Sequence, residues 1–207
     1  MNNQEKKLGI PQPASIQIQS VLYKNSPDAL IQALDNIANA IRVDREYDHV
    51  LSMVVVCYGD ASPKPIFTST EIESLKEQYQ DYFDFDYTFF NQNSGTAAGH
   101  NRMAKTCTSD YLQIMNPDVI VGPHLFKYML EPFSIAELRA GMTEARQTPV
   151  EHHKEYDIKT GVTSWATTAL AIIPYTVFQE IGGFDDDTFF MYCDDVDFSW
   201  MVREAGY

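Results

Sequence analysis

Residues 182–198 read GGFDDDTFFMYCDDVDF, placing six aspartates between Asp185 and Asp197 among large aromatic side chains. Two unit charges about 4 Å apart repel by roughly 4 kcal/mol at an effective dielectric near 20. If these carboxylates converge in a folded site, a cation, a partner or a held proton must offset the repulsion. The stretch is therefore either an acid/base cluster or a solvated acidic turn, and its own residues leave both open.

Five other groups carry chemical options. Asn116-Pro117-Asp118 follows a run that reads as a strand. A carboxylate at such a strand end can hold Mg²⁺ or Mn²⁺, hard cations that take oxygen ligands and bridge to phosphate; Asn-Pro-Asp is also ordinary turn material. Asn93-Ser94-Gly95-Thr96-Ala97-Ala98-Gly99-His100-Asn101 lies between a strand and a helix. Its small residues allow close backbone approach, and a helix start favours an anion. It matches neither G-x-G-x-x-G nor a P-loop, so a glycine-rich helix start packed on a sheet explains it equally. Tyr23, Asn25 and Asp60 also fall at strand ends, where Asp60 can accept hydrogen bonds from a base or ribose or simply make a turn. Trp165 can wall a sugar or base by stacking, or fill core. His152-His153 lacks a third ligand at zinc spacing and reads as a loop pair.

The elements that must position these residues follow from periodicity. A strand is expected over 16–23. Ser26-Pro27 opens a helix with a capping serine and a first-turn proline, and Leu30, Leu34, Ile37 and Ile41 give it one apolar face. The β-branched run over 49–58 predicts a strand buried on both faces, as in a parallel sheet. A helix over 70–79, a strand over 85–90, a helix over 96–106 and a strand over 111–115 complete an alternation that points to an α/β sheet. Beyond it, a helix to residue 130, strands over 137–145 and 165–173 and a helix over 174–180 are expected. Residues 147–163 read as a polar, loose segment. Residues 1–14 read as a flexible leader before one domain over 15–207, with a nucleotide-binding half to about 121 and an acceptor half after it.

The chain has 207 residues and a net charge of −14. Nucleic acid is excluded as a partner on that balance, because phosphate binding needs a basic surface; a mononucleotide is not, since a metal and backbone N–H groups can neutralise its phosphates. Three scattered cysteines without C-x-x-C spacing fit a reducing, cytoplasmic setting. No apolar run reaches the roughly 20 residues of a membrane span, and peripheral attachment at the inner face of a membrane stays open.

Taken in order, these pieces resemble the family 2 glycosyltransferases of the GT-A fold, and within them the bacterial rhamnosyltransferase-like branch. The resemblance runs from Ile16 to Tyr207. Tyr23-x-Asn25 is similar to the family's opening, and the 93–101 segment to its N-x-G-x-x-x-G-x-N. Asn116-Pro117-Asp118 resembles the N-P-D form of the metal-binding D-x-D motif. Residues 182–198 with Arg203 and Ala205-Gly206-Tyr207 resemble GGFDE-x-FFMY-x-EDVDL…R…AGY. The resemblance implies a mostly parallel mixed sheet flanked by helices, C-terminally short. It implies an inverting, metal-dependent transferase of surface-polysaccharide assembly. Its donor would be a nucleotide-diphospho-sugar such as dTDP-rhamnose, and its acceptor a glycan or lipid-linked glycan. Asp118 would hold Mg²⁺ or Mn²⁺, and Asp195 would be the general base. Tyr23, Asn25, Asp60, Asn93, Gly95, Gly99, Asn101 and Asn116 would surround the donor, and Trp165, Asp185 and Asp194 the acceptor.

Three departures qualify the match. Asp194 replaces a glutamate. Thr168 replaces the glycine of W-A-S-G-A. The chain stops just after A-G-Y, where relatives continue with a segment that supplies a histidine near the metal. The alternative class is a GT-A-like nucleotide-binding or interaction domain of a larger glycan-assembly protein. A sugar nucleotidyltransferase shares the metal logic but needs a basic Gly-rich N-terminal loop, which this sequence lacks.

Overall fold

A computed structural model describes residues 13–207. Residues 1–12 of the expected leader lie outside the described residues, and Ala14 already belongs to the first strand.

Strand β1 (Ala14–Leu22) is the centre of the sheet, flanked by β2 (Leu51–Asp60) and β4 (Tyr111–Met115), both parallel to it. β3 (Asp84–Phe89) extends the β2 side in parallel. β6 (Leu170–Pro174) runs antiparallel against β4, and the two-residue β5 (Thr143–Glu144) pairs antiparallel with β6. The order β3-β2-β1-β4-β6-β5 reverses direction of growth at β1, so the crevice outside the carboxyl ends of β1 and β4 is a topological switch point.

Alternation along the strands covers both faces. Tyr111 and Met115 point into one apolar cluster with the face of helix α1 (Pro27–Val43), while Leu112 and Ile114 point into a second. The second cluster is shared with α3 (Gly95–Ala104), α5 (Tyr175–Ile181) and α6 (Asp194–Glu204). Leu30, Leu34, Ile37 and Ile41 are all buried, as their spacing requires. Helix α2 (Ser69–Tyr79) starts in a complete capping box between Thr68 and Glu71. Ser26 precedes α1 as expected but makes no capping hydrogen bond; Pro27 alone marks that start.

Several expectations need correction. β2 is buried on both faces only from Val54 onward in part, because Ser52 and Met53 precede the region β3 covers. The helix expected to residue 130 is α4 (Leu125–Leu130), whereas the strand expected over 137–145 shrinks to β5, and the one over 165–173 begins only at Leu170. Residues 165–169 instead leave the sheet to bridge other elements. Helix α6 is absent from the periodicity reading: its acidic start and exposed Trp200 hide a face formed by Phe198, Ser199 and Val202. No helix among the described residues is long and apolar enough to cross a membrane.

One buried layer is polar. Gln17, Gln19 and His100 are enclosed between β1 and α3. With the Gln19 amide oriented to satisfy its neighbours, its oxygen accepts from Gln17 Nε2 at 2.7 Å and from the Ala104 amide at 3.2 Å, and its nitrogen donates to the His100 carbonyl at 3.2 Å. Satisfied groups of this kind specify how α3 sits on the sheet.

Candidate active site

The acidic stretch folds onto the start of α3. The Thr96 amide donates to the Phe190 carbonyl at 3.0 Å, and Thr96 Oγ1 lies 3.4 Å from Asp194 Oδ2. Gly95 has φ +91°, and a Cβ there would sit 2.0 Å from the Phe190 oxygen, so only glycine permits this seating. The Asn93 side chain accepts from the Gly95 amide at 3.2 Å and shapes the approach. Gly99 lets α3 close onto β1, since a Cβ would meet Val21 Cγ2 at 2.6 Å. Asn101 bonds both backbone groups of Phe184, donating to its carbonyl at 2.7 Å and accepting from its amide at 2.9 Å. The Asn101 side chain, expected beside the donor, is thus a latch between two motifs far apart in sequence.

Tyr192 and Cys193 both adopt left-handed backbone angles, φ +70° and +64°. Such residues cost about 1–3 kcal/mol each and cluster at functional turns. They turn the chain into α6, whose first turn carries Asp194, Asp195 and Asp197. A helix N-terminus favours negative charge, which offsets part of the repulsion among these carboxylates. Asp194 is buried; that burial, with the adjacent Asp195 charge second, holds its carboxyl above the usual range. Asp195 is half-buried, its Oδ1 accepting from the Val196 amide at 2.9 Å. Asp185 accepts from the Thr188 amide at 3.0 Å, and hydrogen bonding from Thr188 keeps its carboxyl below the usual range.

At the switch-point edge, Asn116 and Asp118 are exposed just past β4. The segment 165–169 connects this edge to α6. The Asn116 amide donates to the Ala169 carbonyl at 2.9 Å, and the Ala166 amide donates to Ser199 Oγ at 3.0 Å. Ser199 Oγ also donates to the Asp195 carbonyl at 2.7 Å. One five-residue span therefore ties the end of β4, two residues before Asp118, to the turn of α6 that begins at Asp195.

Past β1 and β2 lies an open cleft of about 410 Å³ lined by Lys24, Asn25, Ser62, Lys64 and Ile66 among others. Asn25 Oδ1 accepts from the Tyr23 amide at 2.9 Å, the Lys24 amide donates to Ser62 Oγ at 2.7 Å, and the Tyr23 ring is about half exposed. Asp60 lies at this edge but is fully buried. Its carboxylate accepts from the Ser62 and Ile66 amides, each at 2.8 Å, and from the Tyr87 hydroxyl. Its oxygens build the loop at the cleft, contrary to the expectation of a group open to a base or ribose.

Among the described residues no group of three or more His, Cys, Asp or Glu is arranged to hold a metal ion. Asp118, exposed and without a hydrogen bond among those described, fits a different mode. Mg²⁺ is commonly held by one or two carboxylates together with substrate phosphates.

No family model matches this sequence, and neither does any curated protein. Solved structures do. The chain is similar to the mannosyltransferase PcManGT of Pyrobaculum calidifontis, solved with GDP-Man and Mn²⁺, at TM-score 0.64 and 16% identity over 96% of this chain and 56% of that one. GalNAc-T7, solved with UDP, GalNAc and Mn²⁺, matches at 0.65 and 12% over 93% of this chain and 40% of that one. Residues 1–349 of S. aureus TarS match at 0.61 and 13% over 91% and 55%. This chain has a GT-A-like glycosyltransferase fold. It spans little more than half the length of these proteins, or less.

Within the GT-A-like fold, two residues absent from the sequence reading hold the chain around Trp165. Lys154 Nζ lies 2.5 Å from Glu144, 4.1 Å from the centre of the Trp165 ring and 3.2 Å from the Trp165 carbonyl. Glu144 Oε2 also accepts from the Thr167 amide at 2.7 Å. Lys154 stands in a polar run and Glu144 in a run expected as a longer strand; neither has a sequence signal beyond its charge.

Proposed function

We propose that this chain is an inverting, metal-dependent glycosyltransferase that moves a sugar from a nucleotide-diphospho-sugar to an acceptor hydroxyl. The observation that carries this reading is the 165–169 bridge, which couples the Asp118 edge to the Asp195 turn of a GT-A-like fold. Asp195 is the general base. It takes the acceptor O–H proton, the freed oxygen bonds to the anomeric carbon from the opposite face, and the bond from that carbon to the diphosphate oxygen breaks. Asp118 and the donor diphosphate together would hold Mg²⁺ or Mn²⁺, which when bound supplies charge stabilisation to the leaving diphosphate. Tyr23, Asn25 and the loop built by Asp60 line the donor's nucleotide end and Asn116 stands at the crevice, while Asn93, Gly95, Gly99 and Asn101 act indirectly, by seating α3 and the acidic loop beside it. Trp165, Asp194 and Asp185 shape the acceptor side. dTDP-rhamnose, implied by the sequence resemblance, heads the donors to test, followed by GDP-mannose and UDP-GalNAc. Surface-glycan assembly at the inner face of a membrane is the setting proposed.

A second reading, a nucleotide-binding or interaction domain without turnover, is favoured by one observation: no group of three or more His, Cys, Asp or Glu is arranged to hold a metal ion among the described residues. Asp195→Asn separates the two. On the transferase reading it retains donor binding with Mn²⁺, measured by thermal shift, and loses transfer by about 10²–10⁴-fold. Transfer at the parent rate in that variant would remove Asp195 from the base role.

A further inference from the structure

Beside the Asp195 turn lies a cavity of about 360 Å³, between β5, residues 160–166 and the C-terminal half of α6. Its size falls in the range of small-molecule sites. Its charged lining residues are Arg139, Glu144 and Arg203. Glu144 is neutralised by Lys154 at 2.5 Å. Neither arginine forms an ion pair among the described residues. Arg139 is exposed, and Arg203 donates to the Thr163 carbonyl at 3.2 Å. The cavity therefore carries two guanidinium groups outside any ion pair among the described residues, in a chain whose net charge is −14. Trp165 forms part of the wall, and Ser164 and Thr163 add hydroxyls.

We propose that this cavity binds an anionic oxyacid group, a carboxylate or phosphate, carried by the sugar acceptor. The inference rests on the transferase reading above and names the acceptor's class. Guanidinium groups recognise such oxyacids through paired N–H donors. Asp195 and Arg203 are eight residues apart on α6, about 12 Å along its axis. The charged group thus lies well away from the hydroxyl that reacts, and the acceptor is longer than one hexose.

The test is titration calorimetry on the full chain with three probes: a disaccharide containing one glucuronate, its uncharged glucose counterpart, and glycerol phosphate. At least one anionic probe is expected to bind, and the uncharged disaccharide is expected to bind at least about tenfold more weakly. A preference for the glucuronate disaccharide assigns a sugar acid; a preference for glycerol phosphate assigns a phosphate-bearing acceptor. Arg139→Gln is expected to weaken the anionic probe by about tenfold, with Arg139→Lys recovering part of the loss. Arg139 is exposed and makes no hydrogen bond among those described, so an unchanged melting temperature checks that Arg139→Gln folds. Equal binding of charged and uncharged disaccharides overturns the proposal. So does the absence of anionic binding at millimolar concentration, or an Arg139→Gln affinity equal to the parent's. Binding of GDP or UDP with Mn²⁺, followed in the same samples, reports on the donor reading alone, so the two can fail separately.

Discussion

His100 is a neutral imidazole enclosed under the sheet. Loss of solvent pushes its pKa down to about 3 from the ordinary 6.5. The unfolded chain takes a proton on this ring near pH 6.5, whereas the folded chain resists it until about pH 3. Its contribution to stability is therefore complete above pH 6.5 and is lost progressively as the pH falls towards 3. Asp194 has the opposite sign. Its raised carboxyl favours the folded state at low pH and loses that contribution as the pH rises past 3.8 and through its folded value. His100→Gln is expected to flatten the decline in urea-unfolding free energy between pH 6.5 and 4. An unaltered decline would place its origin in other groups. His100 stands inside a motif whose glycines draw attention, and nothing in the sequence distinguishes it from a ligand-facing histidine. Its burial follows from Gln17 and Gln19, polar residues in a strand that periodicity alone would make apolar.

Asn101 shows how elements are joined. Its amide closes two hydrogen bonds with the backbone of Phe184, holding the aspartate-rich loop to α3. Asn101→Ala leaves both backbone groups without this partner, at about 1–3 kcal/mol. The expected result is a lower melting temperature with nucleotide affinity unchanged by calorimetry. A selective loss of nucleotide affinity at an unchanged melting temperature would return Asn101 to the donor site. The strands and helices up to residue 115 were legible because each has a period, a cap or a β-branched run. Elements after Met115 were less so. β5 has only two residues, too few for a period, and β6, buried throughout like β4, was legible except for where it starts. The residues at 165–169 make hydrogen bonds to Asn116 and Ser199, partners 53 and 33 positions from Ala169 and Ala166 along the chain. Such pairings leave no local pattern.

At the scale of the molecule, the crevice at the switch point was legible from the alternation of strands and helices, since that order alone directs ligands to the carboxyl edge. The packing of residues 147–163 was not, because it hangs on Lys154. That ammonium is nearly buried, at 7% side-chain exposure, and joins residues 147–163 to β5 and to Trp165. Lys154→Met leaves the Glu144 carboxylate without its counter-charge, which costs about 3–5 kcal/mol when one partner of a buried pair is removed. Limited proteolysis is expected to cut within 147–163 much faster in this variant, and Lys154→Met with Glu144→Gln to recover part of the resistance. Equal cutting in parent and variant would mean that the segment is held elsewhere.

The contact between Gly95 and Phe190 is lopsided. One partner contributes the place where its Cβ would be, the other its carbonyl. Inheritance should treat the two positions differently: residue 190 can change its side chain freely so long as its backbone path is kept, whereas residue 95 has one acceptable identity. A saturation library scored for folded protein is expected to tolerate most substitutions at 190 and almost none at 95. A matched intolerance at both would mean that the Phe190 ring, half exposed as it is, answers to selection for a partner of its own.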